Sequence, residues 1–427
     1  MTTKEFFKEK FGILPEVMDF CNEAEKAVVP QFARVDDVAD HNTAKVLAAM
    51  QKAKLSDAHF HGTTGYGFDD IGRDAMEEIY ATAFGADVAM VRMQMTSGTH
   101  ALTCALFGNL RYGDELVYAT GQPYDSLHRV IGISPTKGSL IEHGITYKQV
   151  DLLPGGAIDY KKLGETIGPK TKIVAAQRSR GYAFHSSYNV AEIKKLVEFV
   201  KSIRKDILVM IDNCYGEFVE KIEPTSVGVD AIVGSLIKNP GGGIAPTGGY
   251  VAGTEEFVVN AANRLFSPSL TLEAGSTLGT TLPILKGFFL APVTVAGALK
   301  TSIFLSEVFS RLGFETSPSP TEPRTDTPQA IRLGSTEKML AFCRGIQKAA
   351  PVDSFFMPEP DHIPGYIDQV VFAAGSFTQG ATSELSADGP IRPPYDVYVQ
   401  GGLTWSHGKI GTIAALNELV IEGLVKL

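Results

Sequence analysis

The chain has 427 residues, 44% of them hydrophobic, and a formal net charge of −9. That composition supplies apolar surface for a large core, and its mild acidity argues against the basic face a nucleic-acid partner would need. The four cysteines, Cys21, Cys104, Cys214 and Cys343, lie too far apart for zinc-ligand or disulfide-framework spacing, which fits a reducing, cytoplasmic setting.

The first segment, residues 1–56, reads as a helical arm with helices at Lys4–Phe11, Pro15–Phe32 and Asn42–Lys54. It shows no signal-peptide pattern. A glycine-rich loop, His61–Asp70, and an amphipathic helix, Arg73–Phe84, open the next segment, residues 57–312. Strand patterns at 88–94, 115–120, 146–150, 173–177, 207–211 and 231–234 alternate there with helical patterns at 99–110, 126–131 and 191–203. Short β-rich runs separated by helices predict an α/β fold with a mainly parallel sheet between helices. Gly249–Gly253 can pair back antiparallel, and Ile284–Leu312 predicts one or two long helices. The apolar run Gly287–Leu299, bracketed by Lys286 and Lys300, is shorter than the ~20 residues of a membrane span. Proline density rises at Ser317–Arg324, so residues 313–427 are expected to form a smaller C-terminal α/β domain.

The chemistry concentrates at strand ends. Ile207–Ile211 runs into Asp212-Asn-Cys-Tyr-Gly-Glu217, and Asp230–Gly234 runs into Ser235-Leu-Ile-Lys238 and three glycines. A strand ending in aspartate, then one ending in Ser-x-x-Lys and glycines, points to pyridoxal phosphate (PLP). Lys238 would form an imine with the cofactor aldehyde. Asp212 would keep a proton on the pyridine nitrogen, and Ser235 would hydrogen-bond the phosphate. A lysine between an apolar strand and a glycine triplet is poorly placed for the solvated role most lysines have. Met95-Thr-Ser-Gly-Thr-His100 follows a strand and opens a helix, where free N–H groups suit a phosphate and Gly98 admits close approach. The bland alternative is an ordinary turn capped by Ser97 or Thr99; the order of Asp212 and Lys238 downstream favours the cradle. Tyr124 either stacks on a ring or packs as a loop tyrosine. Arg178 and Arg180 either read a carboxylate or phosphate or form structural ion pairs. Arg392 is the candidate for an amino-acid substrate's carboxylate, against a solvated loop arginine. His59 and His61 lack a third metal ligand, and no metal is expected.

Taken together, His61–Arg73, Thr96–His100, Gln177–Tyr182, Asp212–Glu217, Ser235–Gly243 and Gln400–Thr404 resemble the methionine gamma-lyase-like family, also known as aluminium-resistance proteins. It is part of the cystathionine-metabolism group of PLP enzymes with the aspartate-aminotransferase fold (type I). The resemblance implies a carbon–sulfur lyase acting on a small sulfur-containing amino acid, with an aminotransferase-type activity or a non-catalytic scaffold as rivals. It implies Lys238 as the imine lysine and Asp212 as the nitrogen partner. Ser97, Gly98, Thr99 and Ser235 would lie at the phosphate, and Tyr124 would be a ring-stacking catalytic group. A homodimer or homotetramer with shared sites is implied too, Tyr66 being a phosphate contact given to the neighbouring copy. Gamma-lyases carry Tyr-x-Arg there, whereas Tyr66-Gly-Phe68 has no arginine before Arg73.

Overall fold

A computed structural model describes residues 1–362 and 368–427. The chain opens with helices α1 (Thr3–Phe11), α2 (Pro15–Ala27) and α3 (Val29–Lys52), followed by α4 (Ile71–Phe84). Next come β1 (Val88–Arg92), α5 (Gly98–Asn109), β2 (Glu115–Tyr118), α6 (Asp125–Ile131), β3 (Thr146–Gln149) and α7 (Tyr160–Thr166). They lead to β4 (Thr171–Gln177), α8 (Val190–Ile203), β5 (Leu208–Asp212), β6 (Ala231–Ser235), β7 (Gly249–Gly253) and α9 (Glu255–Leu265). The long α10 (Thr281–Arg311) precedes β8 (Glu315–Ser317), β9 (Gln329–Arg332), α11 (Thr336–Lys348), β10 (Val370–Ala374), β11 (Ser386–Pro390), β12 (Asp396–Gln400) and α12 (Trp405–Ile421).

Two compact units emerge. One comprises His41–Gly181 and Ser187–Ala291; the other comprises Met1–Asp40, Tyr182–Ser186 and Pro292–Leu427. The first holds a seven-stranded sheet of order β1-β7-β6-β5-β4-β2-β3. β7 is antiparallel to both neighbours, and the remaining pairings are parallel. β4, β5 and β6 are Val/Ile/Ala-rich and buried almost throughout, as strands covered on both faces must be. α8 shows why a helix lies against such a sheet. Ile193, Leu196, Val197 and Val200 are buried at helical spacing, and Asn189 closes a capping box with Glu192. On the face of Tyr250, a cluster of Tyr80, Phe84, Phe218 and Phe288 packs ring against ring.

The second unit holds a five-stranded antiparallel sheet of order β10-β11-β12-β9-β8. One face packs with α2, α11 and α12 in a core that includes Val17, Cys21, Phe342, Ile346, Val397 and Leu416. Residues 182–186 also belong to this unit: the Tyr182 hydroxyl donates to Asp388, and the Arg332 guanidinium lies 4.1 Å from the Phe184 ring centroid.

Two expectations change. The break expected between residues 32 and 42 is absent, because α3 runs through it. Asn42, expected to begin a helix, is buried inside one and donates to the carbonyls of Phe218 and Glu220, each at 3.0 Å. The apolar run flanked by Lys286 and Lys300 also extends past both lysines into the 31-residue α10, long and apolar enough by composition to cross a membrane. However, 67% of its most apolar window is buried inside the protein.

Candidate active site

β4, β5 and β6 run in parallel register, with Gln177 opposite Asp212 and Asp212 opposite Val233. Alternate residues of a strand face the same side. Ala175, Met210 and Val233 share one hydrophobic cluster with Ala101, Leu102 and Ala105 of α5. The next residues of that parity, Gln177, Asp212 and Ser235, therefore continue the α5 face at the carboxyl ends of the strands. This is the edge where open parallel sheets hold ligands.

α5 begins at the same edge. The Ser97 hydroxyl caps it, accepting the His100 N–H at 3.1 Å. The first turn carries the positive end of the helix and N–H groups without intrahelical acceptors. A Cβ on Gly98 would stand 3.2 Å from the Ser235 Cβ and 3.6 Å from the Cys214 Sγ. Glycine thus lets the helix start approach the strand end. Thr99 Oγ1 lies 2.7 Å from Ser126 Oγ, in the first turn of α6. Tyr124 precedes that helix, partly exposed, and its ring edge is 4.0 Å from the Cβ position of Gly181. The Ser235 hydroxyl is buried and accepts the Ile237 N–H at 3.3 Å.

Asp212 is 6% exposed. Its Oδ1 accepts the Cys214 N–H at 3.2 Å. Lys238 sits half-buried in the turn between β6 and β7, its Nζ 4.2 Å from the Tyr215 ring centroid. Burial alone would lower the Lys238 ammonium, but the pull of nearby acidic groups, Asp212 among them, outweighs it and holds the group above the ordinary lysine range. Burial likewise keeps the Cys214 thiol in its neutral form, with the nearby Asp212 adding to the effect. The lysine, the carboxylate and the helix start can together hold a phosphorylated aromatic aldehyde.

The other sequence-derived candidates part company. Arg178 is 1% exposed. It donates to the Tyr188 and Gly216 carbonyls, to Asn213 Oδ1, and to Glu220 at 2.6 Å and Glu223 at 3.5 Å. Its guanidinium is held in an internal ion-pair network. Arg180, two residues on, is buried past the carboxyl end of β4. Arg392 lies in the other unit, on an exposed turn after β11, paired with Asp368 at 2.8 Å. Tyr66 is 66% exposed, and its ring stacks on Phe68 at 5.3 Å and 3°.

Three residues of the Asp212–Glu217 segment acquire a place that the motif alone does not give them. Cys214 faces Gly98, Tyr215 lies under the lysine, and Glu217 is fully buried against Tyr250. Tyr215 and Phe218 both adopt left-handed backbone, at φ +72° and +61°, a conformation that side chains other than glycine rarely take. The available signal is a polar and aromatic run directly after an apolar strand. Among the described residues no group of three or more His, Cys, Asp or Glu side chains is arranged to hold a metal ion.

Comparison with known proteins places this geometry. A solved protein from Listeria monocytogenes, named as a candidate cystathionine beta-lyase involved in aluminum resistance, is 47% identical. It superposes with a TM-score of 0.92 over 94% of this chain and 99% of its own. A carbon-sulfur lyase involved in aluminum resistance from Clostridium novyi NT is 44% identical, with a TM-score of 0.94 over 98% and 100% of the two chains. At 15% identity and a TM-score of 0.61, the pyridoxal-5'-phosphate-dependent protein YhfS of Escherichia coli still matches 91% of this chain and 97% of its own. The large sheet and its helices therefore have the type I fold of PLP-dependent enzymes. The methionine gamma-lyase family matches residues 17–420, and the chain belongs to that family.

Proposed function

We propose that this protein is a PLP-dependent carbon–sulfur lyase acting on a sulfur-containing amino acid. One observation carries the reading: Lys238, Asp212 and the start of α5 meet at the carboxyl edge of β4, β5 and β6. The names of the relatives from Listeria and Clostridium support the reaction class.

The residues fit the cofactor. Gly98 leaves open the space where a Cβ would press on Ser235, and a buried carboxylate and a lysine stand beside it. When bound, PLP supplies an electrophilic aldehyde and a ring that accepts the electron pair left at a substrate's Cα. Lys238 would hold that aldehyde, and its amine would be the group that moves the Cα proton. Asp212 would keep a proton on the ring nitrogen. The α5 N-terminus with Ser97, Gly98 and Thr99, together with Ser235, would hold the phosphate, and Tyr124 would be the residue to stack on the ring. Arg178 is engaged internally, so Arg180, buried at the same edge, is a candidate for the substrate carboxylate. Arg392 is the competing choice. Arg180→Lys and Arg392→Lys, compared for KM, separate the two.

The exposed Tyr66–Phe68 stack supports a second copy of the chain covering this loop, with Tyr66 reaching its site. Four free, buried cysteines suit a cytoplasmic enzyme.

The test is a substrate panel of cystathionine, methionine, homocysteine, cysteine and non-sulfur amino acids. Release of thiol, 2-oxo acid and ammonia from a sulfur substrate is expected. Turnover that requires an amino acceptor would make the protein an aminotransferase, and a protein that takes up no PLP would exclude both.

A further inference from the structure

Glu217 is 0% exposed, and the proposed reaction leaves it no role. The Tyr250 hydroxyl donates to its Oε1 at 2.7 Å, while Oε2 has no hydrogen-bond partner among the described residues. A Cβ on Gly234 would stand 2.7 Å from that Oε1 and 2.8 Å from the Tyr250 hydroxyl. The strand is therefore bare at the one point where the carboxyl passes beneath it. Gly234 directly precedes Ser235, and Lys238 lies in the same turn.

The peptide of Glu217 is tied to that turn as well. Its carbonyl accepts the side-chain amide of Asn239 at 3.0 Å, and Asn239 is itself buried and adjacent to Lys238. The carboxyl thus anchors, through Tyr250, a backbone group that fixes the residue next to the lysine.

The titratable groups facing Glu217 are Tyr80 from α4, Tyr250 from β7, Lys238 from the β6–β7 turn, and Cys214 and Glu223 from its own stretch of chain. Among the described residues no cation makes an ion pair with it. A charge buried without a paired cation is costly, whereas an uncharged acid with one hydrogen bond is tolerated. Burial accordingly pushes the Glu217 carboxyl up to about 8, against the downward pull of the Tyr250 hydrogen bond.

We propose that Glu217 is a positioning residue for Lys238, acting as an uncharged acid whose anchorage on Tyr250 sets the Asn239 contact and, through it, the direction of the lysine. Asp212 is then the one carboxylate that serves the cofactor electrostatically. The inference rests on the proposed use of Lys238 and PLP.

The test compares full-length wild type, Glu217→Gln and Glu217→Leu after loading with PLP. It reads cofactor affinity, the pH midpoint of the visible absorbance band and circular dichroism. Glu217→Gln keeps shape and neutrality, so it is expected to retain the midpoint and to hold affinity within about threefold, a small effect on the scale of one lost neutral hydrogen bond. Glu217→Leu is expected to stay folded, lose about tenfold or more in affinity and shift the midpoint. A leucine variant matching wild type in both readouts would overturn the proposal. So would a glutamine variant displaced as far as the leucine one, because the charge would then be what matters. If Glu217→Leu fails to fold, Tyr250→Phe, which removes only the anchoring hydroxyl, is expected to shift the midpoint, and an unchanged midpoint overturns the inference. Wild type that binds no PLP defeats the functional reading itself, which keeps the two failures distinguishable.

Discussion

The Lys238 ammonium lies 4.2 Å from the centroid of the Tyr215 ring, at a distance where the face of an aromatic stabilises a cation. The same lysine must shed its proton before it can attack an aldehyde. Its surroundings raise it above the ordinary lysine range, so the reactive amine is a small fraction at neutral pH and grows with pH. PLP uptake by the cofactor-free protein is expected to accelerate about tenfold per pH unit above pH 7. Tyr215→Phe should preserve this profile. Tyr215→Leu should raise the rate at pH 7 by about two- to fivefold, since it removes ~0.5–1 kcal/mol of cation stabilisation. Stopped-flow absorbance measures both, and a pH-independent rate would contradict the account.

Gly98→Ala adds a methyl at the meeting point of α5 and β6, 3.2 Å from the Ser235 Cβ. Helix propensity favours the substitution, so thermal stability is expected to hold while PLP affinity falls about tenfold, ~1.4 kcal/mol. A titration of the visible band decides it. Unchanged affinity would remove the helix start from the phosphate site.

Arg178→Ala is expected to act on stability. Glu223 is buried beside the guanidinium and Glu220 lies 2.6 Å away. Stripping the cation from a buried pair costs about 3–5 kcal/mol. Urea unfolding is the measurement. A raised KM with an unaltered unfolding midpoint would return Arg178 to the substrate.

Asp388, hydrogen-bonded by Tyr182, is pushed by burial up to about 6, against that bond's downward pull. An acid with a raised folded value stabilises most while protonated, below its unfolded value near 3.9, and loses that contribution as pH rises through the folded one. Asp388→Asn is therefore expected to gain ~1–3 kcal/mol at about pH 7.5 relative to its effect at about pH 4. Thermal unfolding at the two pH values checks this, and an equal effect at both would exclude a titrating Asp388.

Legibility followed chemistry and burial. The Val/Ile runs of β4, β5 and β6 read as strands because a strand covered on both faces needs continuous apolar character, and Gly249–Gly253 pairs antiparallel as its sequence allows. β11 was not legible: Ser386-Ala-Asp-Gly-Pro390 is buried throughout, yet its residues disfavour strands, and pairing with β10 and β12 and packing against α11 hold it there. Helix α3 escaped in part because its charged middle resembles a linker until Asn42 is seen to reach Phe218. Lys238, Asp212 and Gly98 stood out because the proposed chemistry would demand those residue types at strand and helix ends. Arg178 could not be sorted, since an ion-pair arginine and a ligand-binding one differ only in partners such as Glu220 and Glu223, far along the chain.

The antiparallel course of β7 has a consequence for assembly. Residues 236–248 leave β6 and re-enter the adjacent β7, and Leu236 N–H bonds Gly248 O at 2.9 Å across the base of the loop. Closing so short a link costs little chain entropy, and contacts near in sequence form quickly. Domains generally fold as units during synthesis, N-terminal parts first. The lysine turn can thus be moulded while residues 292–427 are still leaving the ribosome.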